Sequence, residues 1–567
     1  MLHSQVKLKA LRAFAHLQQI FQQNFSFIFW VLFFNYITVA WSLWHTKQLE
    51  VMLLYGFFLF FSITALAALL QLIPYPRIRK TLWACLLLGC GIFWGLESFA
   101  IYNYKALIGA GIINALLETN SQEALEFVKM YIGLRGISYI LVTFAIFFLV
   151  WKYHFLARIK ISRKRQSRIL LVLCIISIIA TLRMFSSYEP LFENGALDLP
   201  LQRGYAATET AIRSINAYED LSSKVNSDIE LTENNGKIPN IVFILGEATN
   251  RNHMHLYGYN LPNTPNLDAL KAKNEIAVFT DCISPHSTTI DVLRTLFTFC
   301  DYESDKEWYE YHNLIDVMNA AGYKTHWLSN QESSGIWGNV AQLYANRSTV
   351  HEFTRMRDSR EDFGSLDEEL FPMLDQALQQ KSNKNFYVLH LMGGHSLYYS
   401  RFPYNFSRFS KDDITANVSD EKKVVLAQYA NALYYNDYIV SGMIDKFRDT
   451  DALVIYVPDH GETIYDEGSN FAGHVEENPN RYMLEIPMII WASDKFKEKY
   501  PEKWQRIQAA VNRPYMTDDL IHTVLDLADI RTPEFNPAKS IVNPYFDATR
   551  KRMNQGRDYD TQIKRRF

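Results

Sequence analysis

Residues 452–462 read ALVIYVPDHGE: a short apolar run that passes directly into a Pro, an Asp-His pair, a Gly and a Glu. An apolar run of this length, closed by a chain breaker, is the pattern of a strand buried on both faces. Runs of the same kind recur at 240–245 (NIVFIL), 276–280 (IAVFT), 324–328 (KTHWL), 386–391 (FYVLHL) and 487–491 (PMIIW). Helical patterns lie between them. The predicted fold class is therefore α/β, with a largely parallel sheet covered by helices.

In such sheets ligands bind beyond the carboxyl ends of the strands. The residues that follow each run are unusually rich in chemistry. NIVFIL leads to Gly246-Glu247, ALVIYV to Pro458-Asp459-His460, and FYVLHLM to Gly393-Gly394-His395. IAVFT leads through Asp281–Pro285 into His286, Ser287, Thr288 and Thr289, and KTHWL into Ser329-Asn330-Gln331. One acid or imidazole at a strand end is a turn or a cap; several at equivalent ends form a candidate metal site. Carboxylate with imidazole suits zinc or manganese. Asp459, His460 and Glu247 are the candidate ligands, and Gly461 lets the chain bend after the pair. His395 and His474, the latter in the polar loop SNFAGHVEENPNRY, are candidates for a second metal or for the substrate phosphate.

In PHSTTIDVLRTLFTF, Ile290, Leu293, Leu296 and Phe297 recur at helical spacing, which puts Ser287, Thr288 and Thr289 at a helix start. Such residues cap helices. The same free amides bind phosphate, and a metal-bound hydroxyl there could attack phosphorus. Spacing alone leaves the three hydroxyls equivalent.

The first 190 or so residues differ in kind. Five apolar segments are long enough to span a bilayer: Phe25–Trp44, Val51–Ile73, Leu82–Tyr102, Ile137–Trp151 with its flanks, and Ile169–Phe185. Lys7, Lys9, Arg12, Arg77, Arg79, Lys80 and seven cations between Lys152 and Arg168 fall on one side if the spans number five. That side is expected to be the cytoplasm, placing everything after about Ser186 outside. The predicted organisation is a transmembrane domain over 1–186, a linker with a bridging helix over 187–237, and an external domain over 238–567. The formal net charge of −3 provides no basic field for nucleic acid; the lipid bilayer is the expected partner. The third connection contains NALLETNSQEALEFV, read as a helix on the membrane surface.

Taken together, GEATNRNHMHLYGYNLPNTPNLDAL, the TTIDVLRTLFTF helix, LMGGH, PDHGETIY and GHVEENPNRYMLEIPMIIW resemble the bacterial phosphoethanolamine transferases of the alkaline phosphatase/sulfatase superfamily. The resemblance covers nearly the whole chain and is nearest to the branch that modifies heptose phosphate in the lipopolysaccharide core. It implies a sulfatase-like periplasmic domain on a five-helix anchor in the bacterial inner membrane. It implies zinc, one or two ions, held by Glu247, Thr289, Asp459 and His460, with Thr289 as nucleophile. It implies phosphatidylethanolamine as donor, a covalent phosphoethanolamine-threonine, and lipopolysaccharide (core heptose phosphate or lipid A) as acceptor. The family's Asn-x-x-x-Thr-x-x-x-Glu headgroup stretch is matched by Thr119 and Glu123, with Ala115 in the first place. Many relatives carry several disulfides in the external domain. Here Cys282 and Cys300 are the only cysteines of that part, and a helix of about 16 Å separates them. A glycerol-phosphate transferase or polymerase, or a phosphodiesterase of the same superfamily, is the alternative. The Cys/Ser-x-Pro-x-Arg setting of a sulfatase is absent.

Overall fold

The computed structural model describes residues 2–45, 47–104, 163–187, 199–223, 229–332, 340–355, 365–380 and 382–564, with a few isolated positions between 107 and 145. The chain divides into two compact units at Ala211/Ile212, a point inside the predicted linker.

The first unit contains helices α1 (Leu2–His45), α2 (Leu49–Gln71), α3 (Pro76–Tyr104) and α4 (Arg163–Ser187). Among the described residues, three stretches are long and apolar enough to cross a membrane: Phe27–Trp44, Leu49–Gln71 and Pro76–Asn103. They coincide with the first three predicted spans. The fifth, Ile169–Phe185, lies within α4, and the fourth, Ile137–Trp151, falls largely outside the described residues. Val31, Phe34, Tyr55, Leu59 and Met184 are buried between the helices. Leu53, Leu69, Leu88, Leu96, Ile179 and Leu182 point outward, each more than half exposed. An outward apolar belt is what a hydrocarbon solvent requires. The protein is an integral membrane protein carrying a soluble C-terminal domain.

Helix α5 (Pro200–Ser223) lies within the predicted linker, where a bridging helix is expected. Its first turns pack on α3. Arg203 Nε donates to Glu97 Oε1 at 3.0 Å, with both residues buried. Gly204 sits so close to Phe93 that a Cβ would lie 2.3 Å from its ring. A buried ion pair costs desolvation and is tolerated where both charges are hydrogen-bonded.

The second unit is built on a seven-stranded sheet. In chain order the strands are β1 (Asn240–Gly246), β2 (Ile276–Phe279), β3 (Lys324–Glu332), β4 (Val350–Arg355), β5 (Asn385–His390), β6 (Ala452–Pro458) and β7 (Met488–Ala492). Their spatial order is β2-β7-β6-β1-β5-β3-β4. The five strands from β6 to β4 are parallel, and β7 runs antiparallel to both its neighbours. The sheet is thus largely parallel, as expected, and mixed through the reversed β7. Each central run is buried on both faces whichever way it points, so an apolar run carries no signal of direction. Strand β4 escaped the sequence reading because VHEFTR is a polar, partly exposed edge strand.

One face packs against helix α6 (Thr289–Leu296), with Phe243, Trp327 and Phe297 in contact. Helix α7 (Asp420–Asp445) meets the other face, where Asn436 Nδ2 donates to the Tyr456 hydroxyl at 3.0 Å. Cys282 and Cys300 are both free thiols.

Candidate active site

Register places the site. Strands β1 and β6 pair so that Gly246 lies opposite Pro458, which sets Glu247 and Asp459 side by side at the next step. Leu245 lies opposite His390 of β5, so the Gly393-Gly394 turn meets the end of β1. Gly394 N–H donates to the Glu247 carbonyl at 2.9 Å. Gly393 has φ +47°, and a Cβ there would come within 2.7 Å of the Glu247 carbonyl oxygen; only glycine fits this approach. At Gly461 a Cβ would stand 2.3 Å from the Tyr482 carbonyl oxygen.

Three buried groups converge there. His460 Nε2 is 3.4 Å from Glu247 Oε1 and 3.5 Å from Asp459 Oδ2. His460 Nδ1 lies 2.7 Å from the Gly461 carbonyl. It therefore donates there, and Nε2 presents its lone pair to the two carboxylates. Asp459 Oδ1 accepts from the N–H groups of Ala248 (3.1 Å) and His460 (2.7 Å). Glu247 Oε1 and Asp459 Oδ2 have no hydrogen-bond partner among the described residues. Burial, and then the charge of Asp459, push the Glu247 carboxyl well above the usual carboxylate range, while burial pushes the His460 imidazole down.

Three acceptors facing one another in a buried place repel unless a cation joins them. One nitrogen and two carboxylate oxygens, their ligand atoms within 4.8 Å of each other, are a donor set that fits zinc or manganese.

The three hydroxyls at the start of α6 go to different partners. The Ser287 hydroxyl lies 2.8 Å from the Val475 carbonyl and 3.0 Å from Glu476 Oε2. The Thr288 hydroxyl donates to Asp291 Oδ2 at 2.9 Å. Thr289 Oγ1 alone faces the cluster, 3.2 Å from Glu247 Oε2 and 3.4 Å from His460 Nε2. It is also the first residue of α6, beside that helix's unpaired amides.

His474 stands on the other side of His460, with ring centroids 4.1 Å apart; the His395 ring is 6.2 Å from that of His474. His474 Nδ1 pairs with Glu462 Oε2 at 2.7 Å, and the Tyr398 hydroxyl donates to Glu462 Oε1 at 2.6 Å. Burial would lower the His474 imidazole, but the charge and hydrogen bond of Glu462 outweigh it and raise it above its ordinary value. His460, shared with the first cluster, also lies with Glu462 and His474 in a group close enough to hold a cation. Thr119 and Glu123 lie outside the described residues.

The sequence reading missed three acids. Glu462 sits in the same PDHGE run as Asp459, and two further residues of strand-end logic would have found it. Glu476 belongs to the His474 loop and receives the Ser287 N–H. Asp367 carries no local signal: it caps the Gly-Gly turn from afar, accepting from Met392 N–H (2.8 Å) and Gly393 N–H (3.0 Å). Arg401 holds the far side of that turn, donating to the Ser396 carbonyl at 2.8 Å.

The Sulfatase family profile matches residues 239–530, just over half of the chain, and the Phosphoethanolamine transferase EptA/EptB profile matches 62–196. The chain is 26% identical over 527 residues to the phosphoethanolamine transferase EptC of Escherichia coli K12, covering 87% of this chain and 89% of that protein. Among solved structures it is similar to the zinc complex of the C-terminal periplasmic domain of E. coli EptC. There the TM-score is 0.54 at 28% identity, over 59% of this chain and 96% of that one. It also shares the fold of the integral membrane lipooligosaccharide phosphoethanolamine transferase A from Neisseria meningitidis. That match has a TM-score of 0.64 at 20% identity, over 91% of this chain and 97% of that one.

Proposed function

The chain belongs to the sulfatase family, and from that premise we propose that it is a phosphoethanolamine transferase of the bacterial inner membrane with its catalytic domain in the periplasm. It moves phosphoethanolamine from phosphatidylethanolamine to lipopolysaccharide, on core heptose phosphate or lipid A, through a covalent intermediate on Thr289. The observation that carries this reading is the approach of Thr289 Oγ1 to Glu247 and His460 at the start of a helix. The likeness to phosphoethanolamine transferases along most of the chain supports the cargo.

Glu247, Thr289, Asp459 and His460 would hold a zinc ion, with His395 and His474 taking either a second ion or the substrate phosphate. Bound there, zinc supplies Lewis-acid charge that makes the Thr289 hydroxyl ionisable near neutral pH. Thr289 Oγ attacks phosphorus; the O–P bond forms as the bond to diacylglycerol breaks, and diacylglycerol leaves with a proton. The amides at the start of α6 receive the phosphate oxygens. In the second half an acceptor oxygen attacks the same phosphorus, and Thr289 recovers its proton. His474, hydrogen-bonded to Glu462, delivers or takes that proton. Thr119 and Glu123 hold the donor headgroup.

The test is to incubate purified full-length protein with labelled phosphatidylethanolamine and locate the adduct by mass spectrometry. Phosphoethanolamine on Thr289 is the expected result. An adduct on another residue overturns the nucleophile, and glycerol phosphate in its place overturns the donor. Lipopolysaccharide masses with and without the gene then identify the acceptor.

A further inference from the structure

The turn that presents Thr289 is gripped from two distant segments, and the grip centres on one carboxylate. Glu476 is buried, with its side chain 5% exposed. Its Oε1 accepts from His286 Nδ1 at 2.7 Å and from Gln555 Nε2 at 3.1 Å. Its Oε2 accepts from Ser287 N–H at 2.7 Å and lies 3.0 Å from the Ser287 hydroxyl. Gln555 stands in the hairpin that joins Met553–Asn554 to Arg557–Asp558, and its neighbour Asn554 donates to the Pro285 carbonyl at 2.8 Å. Residues 285–287 are thus pinned to the His474 loop on one side and to the C-terminal hairpin on the other.

We propose that Glu476 is a positioning residue for Thr289: it fixes the backbone two residues before the nucleophile, and so the place of its hydroxyl. This rests on Thr289 being the nucleophile. Thr288 is tied to Asp291, so little freedom remains between the pinned Ser287 and Thr289. Remove the carboxylate, and the buried Ser287 N–H and the His286 Nδ1–H both lose their acceptor. The turn then relaxes to satisfy them elsewhere, and the hydroxyl leaves its 3.2 Å approach to Glu247. Misplacement of a reacting group by about 1 Å costs on the order of 100-fold in rate.

Glu476→Ala and Glu476→Gln separate positioning from charge. Gln is isosteric and keeps an acceptor for Ser287 N–H. On its other side, neutral His286 can present a lone pair and Gln555 can flip its amide. In the full-length protein we expect Glu476→Ala to lower kcat by about 10- to 100-fold with the donor KM unchanged, and Glu476→Gln to restore most of it. Hydrogen exchange measured by mass spectrometry on metal-free protein gives a readout independent of turnover. Exchange across 284–290 should rise in Glu476→Ala while the sheet strands stay protected. Unchanged exchange in that segment, or a Glu476→Gln variant as slow as Glu476→Ala, overturns the proposal. If Glu476→Ala does not fold, Gln555→Ala should show the same pattern in smaller degree, and a wild-type pattern there also overturns it. A wild-type protein that forms no adduct at all defeats the functional reading instead, while the exchange result still judges the positioning.

Discussion

Two groups of buried acids in the soluble domain meet opposite fates. Beside the C-terminal segment, Asp518 receives both a 2.9 Å and a 3.2 Å hydrogen bond from Arg550. Asp519 Oδ2 is 3.0 Å from the same guanidinium, and Asp301 pairs with Lys539. These acids carry their own cations. At the strand ends Glu247 and Asp459 are equally buried, yet the nearest positive candidate is His460, whose Nδ1 is committed to a carbonyl and whose burial opposes its charging. The first group draws its cations from the chain itself. The second is finished only by something from outside, which marks a site rather than a staple.

The largest effect expected tests what the second group is for. Thr289→Ala should cut transfer by at least about 1,000-fold, measured as phosphoethanolamine release from donor lipid. Thermal stability should move little, since Thr288, not Thr289, holds the N-cap position. Retained activity would break the functional half of the comparison.

Next comes metal removal. Ions that bind only the folded protein stabilise it by about 4 kcal/mol at a thousandfold excess over Kd, so chelation should lower the melting temperature. The sharper form uses Glu247→Gln. Without metal, this variant should be more stable than the wild type, by on the order of 1 kcal/mol, because one of the two facing carboxylates no longer has to be neutralised. With zinc present the order should reverse. If metal-free Glu247→Gln melts below the metal-free wild type, the two clusters are not different in kind.

Arg550→Met should destabilise the protein by about 3 kcal/mol, the cost of leaving buried acids unpaired. That loss should be the same with and without added zinc in thermal or denaturant unfolding.

The smallest effect concerns an intermediate case, an acid whose cation can titrate. Burial would push the His286 imidazole down, but the charge and hydrogen bond of Glu476 lift it from 6.5 to about 9. A histidine raised on folding adds stability in full below its unfolded value and loses it as pH climbs through the folded one. The pair should therefore contribute, on the order of 1 kcal/mol, below about pH 6.5, and fade through about pH 9. The gap in melting temperature between wild type and His286→Asn should close over that range, whereas the Arg550→Met gap should not.

Much of this architecture was open to a reading of the sequence. Apolar runs long enough for a bilayer occur only in the first third, because hydrocarbon leaves no room for a polar face. The ends of strands β1, β5 and β6 could be marked from composition alone, and with them Glu247, His395, Asp459 and His460. Parallel strands in register then carry residues that follow equivalent runs to one edge. That step needs only period and length.

Other features waited for the tertiary structure. The direction of β7 did, because a run buried on both faces looks the same either way. Strand β4 did, because it is held by its neighbour rather than by its own apolar content. Among Ser287, Thr288 and Thr289, the sequence offered three like hydroxyls at one helix start. Glu476 draws off the first and Asp291 the second, and only the third faces Glu247 and His460. Hydrogen bonds between residues nearly 190 positions apart depend on how the whole chain is folded, and no local pattern encodes them. The sequence by itself determined which chemistry gathers at the end of the sheet; the packing of distant loops decided which atom of it points at the cluster.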